Sequence, residues 1–361
     1  MPNYILYSNG IETIEPDEQE TQNKIVEVLT TGMHNVREKT GRDVRISHAK
    51  AFGLLKGTLT VENNLPAELA QGLFAKPGTY DVLVRLSSAP GEINDDSKLN
   101  TVRGMAIKVL NVRGPKLPGH TADTQDFVLD TGKEFINSGP KAFLQTFKPN
   151  AEIAPKLSDN VKGAVSEVAR VTNAALNAVG VNSEKLDFFG HPKQHPMTDA
   201  YFSQTAFRYG DYVAKIGVIP DTPGLKALMD QPYDPGTYDA LREATNAFFR
   251  TQAAEFNVAV QLNTGLDDMP IEDAQAKWPE ESSPYQTVAR LVLPVQTAWD
   301  PARDNFFEDL SFAPGHALAA HRPLGGINRA RLVAYKVLSD LRLRENNKTV
   351  QEPSTLDQVP I

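Results

Sequence analysis

The chain has 361 residues, enough at about 150 residues per domain for two domains or one large one. It has no cysteine, which excludes a disulfide scaffold, a thiolate zinc site, an iron–sulfur cluster and a cysteine nucleophile. Its 37 Lys and Arg against 45 Asp and Glu give a formal net charge of −8, the wrong sign for neutralising phosphates over a wide surface, so nucleic acid is not an expected partner.

The first residues, MPNYILYSNGIETIEPDEQE, lack the basic start and apolar run of a secretory signal and are acidic where a transit peptide is arginine-rich. The cytoplasm is the expected compartment. No run approaches about 20 consecutive apolar residues, so no membrane span is expected. Residues 18–38 place Ile25, Val28, Leu29 and Met33 at helical spacing with charges between them, which predicts an amphipathic helix. From Val44 the period shortens. RISHAKAFGLLKGTLTVE, GTYDVLVRLSSAP and NTVRGMAIKVLN are β-branched runs bounded by Gly, Pro and Asn, as in a meander or barrel. Residues 151–180 are rich in Ala and Val at helical spacing, and PGLKALMD and TYDALREATNAFFRTQAAEF read as further helices inserted before the strands EFNVAVQLN and VARLVLPVQ. A last helix is predicted over 326–345, with Ile327, Ala330, Ala334, Val337 and Leu341 as its core stripe. After it the polar sequence NNKTVQEPSTLDQVPI reads as a surface strap or a mobile end.

Glycine-rich nucleotide loops, HExxH and GxSxG are absent. His191 and His195 in HPKQHP are separated by a proline that opposes the helix needed to aim both at one metal, so they read as loop contacts, and Asp267 and Asp268 read as a solvated turn. His48, in the small-residue run RISHAKAFG, would on its own be a core histidine. Arg331, Tyr335 and Arg342 share one face of the last helix, at spacings of four and seven. A phenol titrates near about 10, and neighbouring positive charge favours its anion, a hard ligand suited to ferric iron. The alternative is a helix whose Tyr and Arg face water.

RISHAKAFG, VRLSSAP, TVRGMAIKV, QDFVLDTGKEF, KWPEESSPYQTVARLVLPV, NFFEDLSFAPG and RLVAY follow one another in an order that resembles the haem catalase superfamily over about residues 40–345. HRPLGGINRAR and YFSQTAFRYGDYVAK are similar to its small, catalase-related branch. The resemblance implies an α+β fold: a catalase-like antiparallel β-barrel with inserted helices and a C-terminal haem-ligand helix. It divides the chain into an N-terminal helical arm (1–40), a haem-binding barrel domain (41–345) and a tail (346–361). It implies haem b, with ferric iron, as cofactor. Tyr335 becomes the metal ligand, Arg331 the cation bonded to its phenolate, and His48 the distal acid–base group. Arg45, Arg85 and Arg342 become the partners of the haem propionates, and Phe135 packs on the haem face. In a regular strand Arg45 and His48 would point to opposite faces, so both reach one haem only through a bulge or strong twist.

The sequence departs from true catalases between Val112 and Asp126, where their distal asparagine is missing and Asp123 or Thr124 stands nearest. Ser47 places a hydroxyl before the distal histidine, as in the catalase-like allene oxide synthases, and is a second candidate catalytic residue. Residues 111–125 and 151–190 are expected to line the channel. The sequence also ends without the wrapping loop and C-terminal domain of full-length catalases, which makes a homodimer the expected assembly. The expected function is a haem peroxidase of this family with weak or modest catalase activity, using hydrogen peroxide or an organic hydroperoxide and a small-molecule electron donor. The alternatives are a fatty-acid hydroperoxide isomerase or lyase, and a non-enzymatic haem-binding protein.

Overall fold

A computed structural model describes residues 3–153, 156–177, 186, 190–229 and 231–359. The first helix, α1 (Glu18–Thr40), carries Glu18 and Glu20 in its first turn and Arg37 and Lys39 in its last, each opposite in sign to the helix end beside it. It stops at Gly41, whose φ of 69° is the left-handed conformation that glycine adopts without cost and whose N–H closes on Arg37 O at 2.8 Å. Strands β1 (Ala51–Val61), β2 (Gly78–Ser88), β3 (Arg103–Leu110) and β4 (Thr124–Asp130) follow, and then helices α2 (Pro140–Ile153) and α3 (Asp159–Asn177). Next come β5 (Tyr201–Phe202), β6 (Phe207–Tyr209), β7 (Tyr212–Pro220), α4 (Pro223–Met229), α5 (Ala240–Phe249), β8 (Ala254–Leu262) and β9 (Gln286–Leu293). The chain ends with α6 (Pro301–Asp309), α7 (Gly326–Glu345) and a strap to residue 359.

All strands belong to one antiparallel sheet in the order β5-β4-β3-β2-β1-β9-β8-β7-β6, and a further β5–β7 pairing closes it into a barrel. Closure removes the free edges that an open sheet would expose. Side chains alternate across its wall. On β2, Val82, Val84 and Leu86 enter the main core with Phe127, Phe256 and Leu291, while Leu83 faces outward onto Phe307 and Leu310. Arg85 shares that outward parity and is buried, because helices cover this part of the wall. In that cover α1, α2 and α7 meet, where Ile25, Leu29, Ala330, Ala334 and Leu338 pack with Phe143 and Phe147. No helix among the described residues is long and apolar enough to cross a membrane.

Four local expectations are corrected. The strand predicted from Val44 begins only at Ala51; before it the chain is irregular, and His48 takes a φ of 57° while its N–H bonds Ala89 O at 2.9 Å. The stripe of α7 buries Leu338 and leaves Val337 exposed, since the covered face runs 327, 330, 334, 338. The Ala- and Val-rich stretch is not one element: α2 ends at Ile153 and α3 runs from Asp159 to Asn177, and the end of the predicted stretch, 178–180, lies outside the described residues. The tail is a strap. Gln351 bridges to Leu310, Asn111 N donates to Ser354 O at 2.9 Å, and Glu352 lies 3.0 Å from the buried Lys108 Nζ, which also holds Asp126 at 2.9 Å.

Candidate functional site

Between the outer wall of β2–β4 and the cover of α1, α2 and α7 lies a cavity of about 290 Å³. Ser47, His48, Arg45, Arg85, Phe135, Arg331, Tyr335 and Arg342 all line it. So do Ile25, Leu29 and Met33 of α1 and Phe143 and Phe147 of α2, whereas no residue of 111–125 and no described residue of 151–190 borders this cavity. Asp123 and Thr124, nearest to the missing asparagine, are therefore not at the cavity; Asp130 and Thr131 are.

Arg45 and His48 reach one cavity because His48 leaves the extended conformation. A left-handed turn at a histidine is a strained choice that neighbouring contacts must hold. Arg85 supplies two of them, donating through Nη2 to His48 O at 2.7 Å and to Ala49 O at 3.2 Å. The His48 ring then lies over Gly104 of β3. A Cβ at that position would stand 2.6 Å from His48 Cε1, so the ring needs a bare Cα there. Its Nδ1 is buried without a hydrogen-bond partner, and its Nε2 lies 3.4 Å from Asp130 Oδ2. Ser47 Oγ donates to Ala89 O at 3.0 Å.

On the helix wall, Tyr335 is the only tyrosine at the cavity among the described residues. Arg331, one turn earlier, places Cζ 5.5 Å from its ring centroid and gives Nη1 to Asn328 Oδ1 (3.0 Å) and Nη2 to Val128 O (3.3 Å), tethering α7 to β4. Phe135 stacks toward α2, its ring 6.0 Å from that of Phe143.

One end of the cavity is cationic. Arg45 pairs with Glu308 Oε1 and donates to Phe307 O (2.7 Å) and Leu310 O (3.0 Å). Arg342 Nη1 donates to Glu308 O at 2.8 Å and lies 3.3 Å from Oε2, as does Arg42 Nη1. Burial alone would raise the Glu308 carboxyl, but Arg45, Arg342, Arg85 and Arg42 together hold it down at about 2. Burial, and then Arg45, lowers the Arg85 guanidinium to about 9 and that of Arg342 to about 10. Arg45, Arg85 and Arg342 line this end; Glu308 contacts Arg45 and Arg342, while Asp304 acts on Arg85 and Asp309 on Arg342. Sequence reasoning missed Glu308, Gly104 and Asp130. All three sit inside the runs that carry the resemblance, and a group of arginines gathered at one site signals the need for a counter-ion.

Glu308 ties the site to stability. Its carboxyl titrates at 4.5 when free and at about 2 here, so its contribution is complete above about pH 5 and lost as pH falls toward about 2. The shift corresponds to about 3 kcal/mol. Glu308→Gln is expected to lower the urea midpoint at neutral pH, with the gap to the unaltered chain closing between about pH 5 and pH 2. A gap that stays constant over that range would contradict the assignment.

His191 and His195 are loop contacts: His191 Nε2 meets Asp199 Oδ1 at 3.0 Å, and His195 Nδ1 accepts from Met197 N. Among the described residues no group of three or more His, Cys, Asp or Glu could hold a metal ion. A metal at this cavity would need Tyr335 together with donors brought by a prosthetic group. The residues suit such a group: an apolar slot with the small side chains of Ala106, Ala330 and Ala334 in its lining, a phenol on the helix side, and a cationic end with Arg85 Nε buried and unpartnered.

No family model matches the sequence, and no curated protein matches it. Solved structures do. A fungal catalase superposes over 95% of this chain with a TM-score of 0.60 at 15% identity, and catalase A from Saccharomyces cerevisiae over 94% with 0.57 at 15%. A bacterial catalase superposes over 97% with 0.55 at 16%. The chain spans 66% of the fungal catalase, 68% of the yeast protein and 67% of the bacterial one. At these identities the likeness is one of fold.

Proposed function

We propose that the cavity holds haem b and that the protein is a peroxidase acting on hydrogen peroxide or a small organic hydroperoxide, with weak or modest catalase activity. The observation that carries this reading is the meeting of His48, from the segment before β1, and Tyr335, from α7, in one apolar cavity with a cationic end. Tyr335 would offer its phenolic oxygen to the iron. Arg45, Arg85 and Arg342, which line the cavity's cationic end, would receive the two haem carboxylates. Phe135 would pack against the macrocycle. When bound, the group supplies the redox chemistry of O–O cleavage. The protein covers the site with apolar side chains, and it holds at His48 the polar ring that would meet the hydroperoxide.

Titration of the purified chain with haemin, followed by peroxide with a reducing dye and an oxygen electrode, tests this. Uptake of one haemin per chain, with dye oxidation well above oxygen release, is expected. A chain that takes up no haemin, or takes it up and turns over no peroxide, would leave a binding module instead of an enzyme.

A further inference from the structure

We propose that Asp130 is a second acid–base group of this cavity, paired with His48 and acting as the acceptor of the hydroperoxide's proton. The inference rests on the peroxidase reading and deepens it. In the β3–β4 register Gly104 stands directly opposite Asp130, so the residue that makes room for the imidazole and the residue that meets its Nε2 are cross-strand partners. Asp130 Oδ1 accepts from Thr131 N at 3.1 Å, which turns Oδ2 toward the ring, 3.4 Å from Nε2. Both side chains open to the cavity, His48 at 20% and Asp130 at 23% exposure.

The environment of the ring decides where its proton sits. Nδ1 is buried against Gly104 with no acceptor, so a proton there would be an unpaired buried donor. The neutral ring therefore carries its proton on Nε2, beside the carboxylate. An Nε2 that already holds a proton has no lone pair to offer an incoming hydroperoxide. The vacant basic site of the pair is the Asp130 carboxylate. There the substrate O–H bond breaks and a carboxyl O–H bond forms, with no change of oxidation state, while Nε2–H hydrogen-bonds the deprotonated oxygen. The O–O bond would break with electrons supplied by the bound haem, and the carboxyl would give its proton to the oxygen that leaves, which restores the carboxylate. The other groups facing the pair are Arg85, bonded to His48 O, Arg331, bonded to Val128 O, Gln204, bonded to Thr131 O, and the buried phenol of Tyr201. Arg85 spends Nη2 on backbone carbonyls, and Arg331 donates to Val128 O and Asn328 Oδ1.

The test has one arm that needs no turnover. In the full chain with 15N-labelled histidine and no added haemin, the His48 ring is expected to show its proton on Nε2, and Asp130→Asn, which removes the anionic acceptor, to shift the Nε2 resonance while Nδ1 stays unprotonated. In the haemin-loaded chain, Asp130→Asn is expected to keep haemin uptake and lose peroxide turnover about 100-fold, within the usual range for a general acid–base group, with Asp130→Glu restoring part of it. Combining Asp130→Asn with His48→Ala should cost little more than the worse single change, as for groups that act as a unit. A His48 Nε2 resonance unmoved by Asp130→Asn overturns the pairing, and unchanged turnover in that variant overturns the role as acceptor. Absence of turnover in the unaltered loaded chain overturns the peroxidase reading instead, with the Nε2 resonance still reporting on the pair.

Discussion

Tyr335→Phe is expected to abolish the absorption spectrum of a tyrosinate-bound ferric haem and to weaken haemin uptake by more than about 100-fold, the upper range seen when even an outer partner of a metal ligand is lost. The change deletes one oxygen and keeps the ring. Arg331 would still lie over that ring, and its bonds to Asn328 and Val128 do not involve the phenol, so α7 should stay docked on β4. Because Tyr335 is the only phenol at the cavity among the described residues, no neighbour there can replace it as an oxygen ligand of the same kind. Equal melting temperatures for the two proteins, with the spectrum lost in the variant, is the result that assigns the oxygen to the metal. An unchanged spectrum would remove Tyr335 from that role.

His48→Ala is expected to leave haemin uptake nearly intact and to lower peroxide turnover by about 10² to 10⁴, the usual contribution of a positioned acid–base group. The two functions separate because the backbone of this segment is held from outside the ring. Arg85 bonds the carbonyls of residues 48 and 49, and the N–H of residue 48 bonds Ala89 O; both survive removal of the imidazole. The loss should appear in kcat and in kcat/KM alike, as for an interaction made during the reaction instead of on binding. Turnover equal to that of the unaltered chain would end the case for His48, whatever the spectrum.

The barrel was legible where one period persisted. The runs at 78–90 and 255–263 announce strands, 18–38 a helix and 326–345 another, and each appears close to its expected place. The ordered runs also brought His48, Arg45, Arg85, Phe135, Arg331, Tyr335 and Arg342 to one cavity, which no spacing within a single element could have done. What stayed hidden depends on pairing across the chain. The left-handed turn at His48 breaks a run that reads as strand, and it is sustained by Arg85, a strand away. Gly104 looks like an ordinary strand glycine until the β3–β4 register sets it against Asp130 and under the imidazole. Glu308 lies in a helix whose sequence says nothing of the arginines contributed by residues 42, 45 and 342. The lining contributed by α1 and α2 follows from how these helices dock, which local propensity does not encode.

Arg85 stands where two demands meet. The guanidinium that borders the cationic end of the cavity is the same one that grips the carbonyls of His48 and Ala49, and it has one buried nitrogen still without a partner. An anion arriving at that end therefore competes for, or completes, the hydrogen bonding of the side chain that holds the distal turn. Occupancy and the poise of the imidazole become linked quantities, and the linkage is reciprocal: whatever free energy the anion draws from the turn on binding, a change in the turn must return as a change in affinity for the anion. A reporter on the histidine should then sense the filling of a site it does not touch.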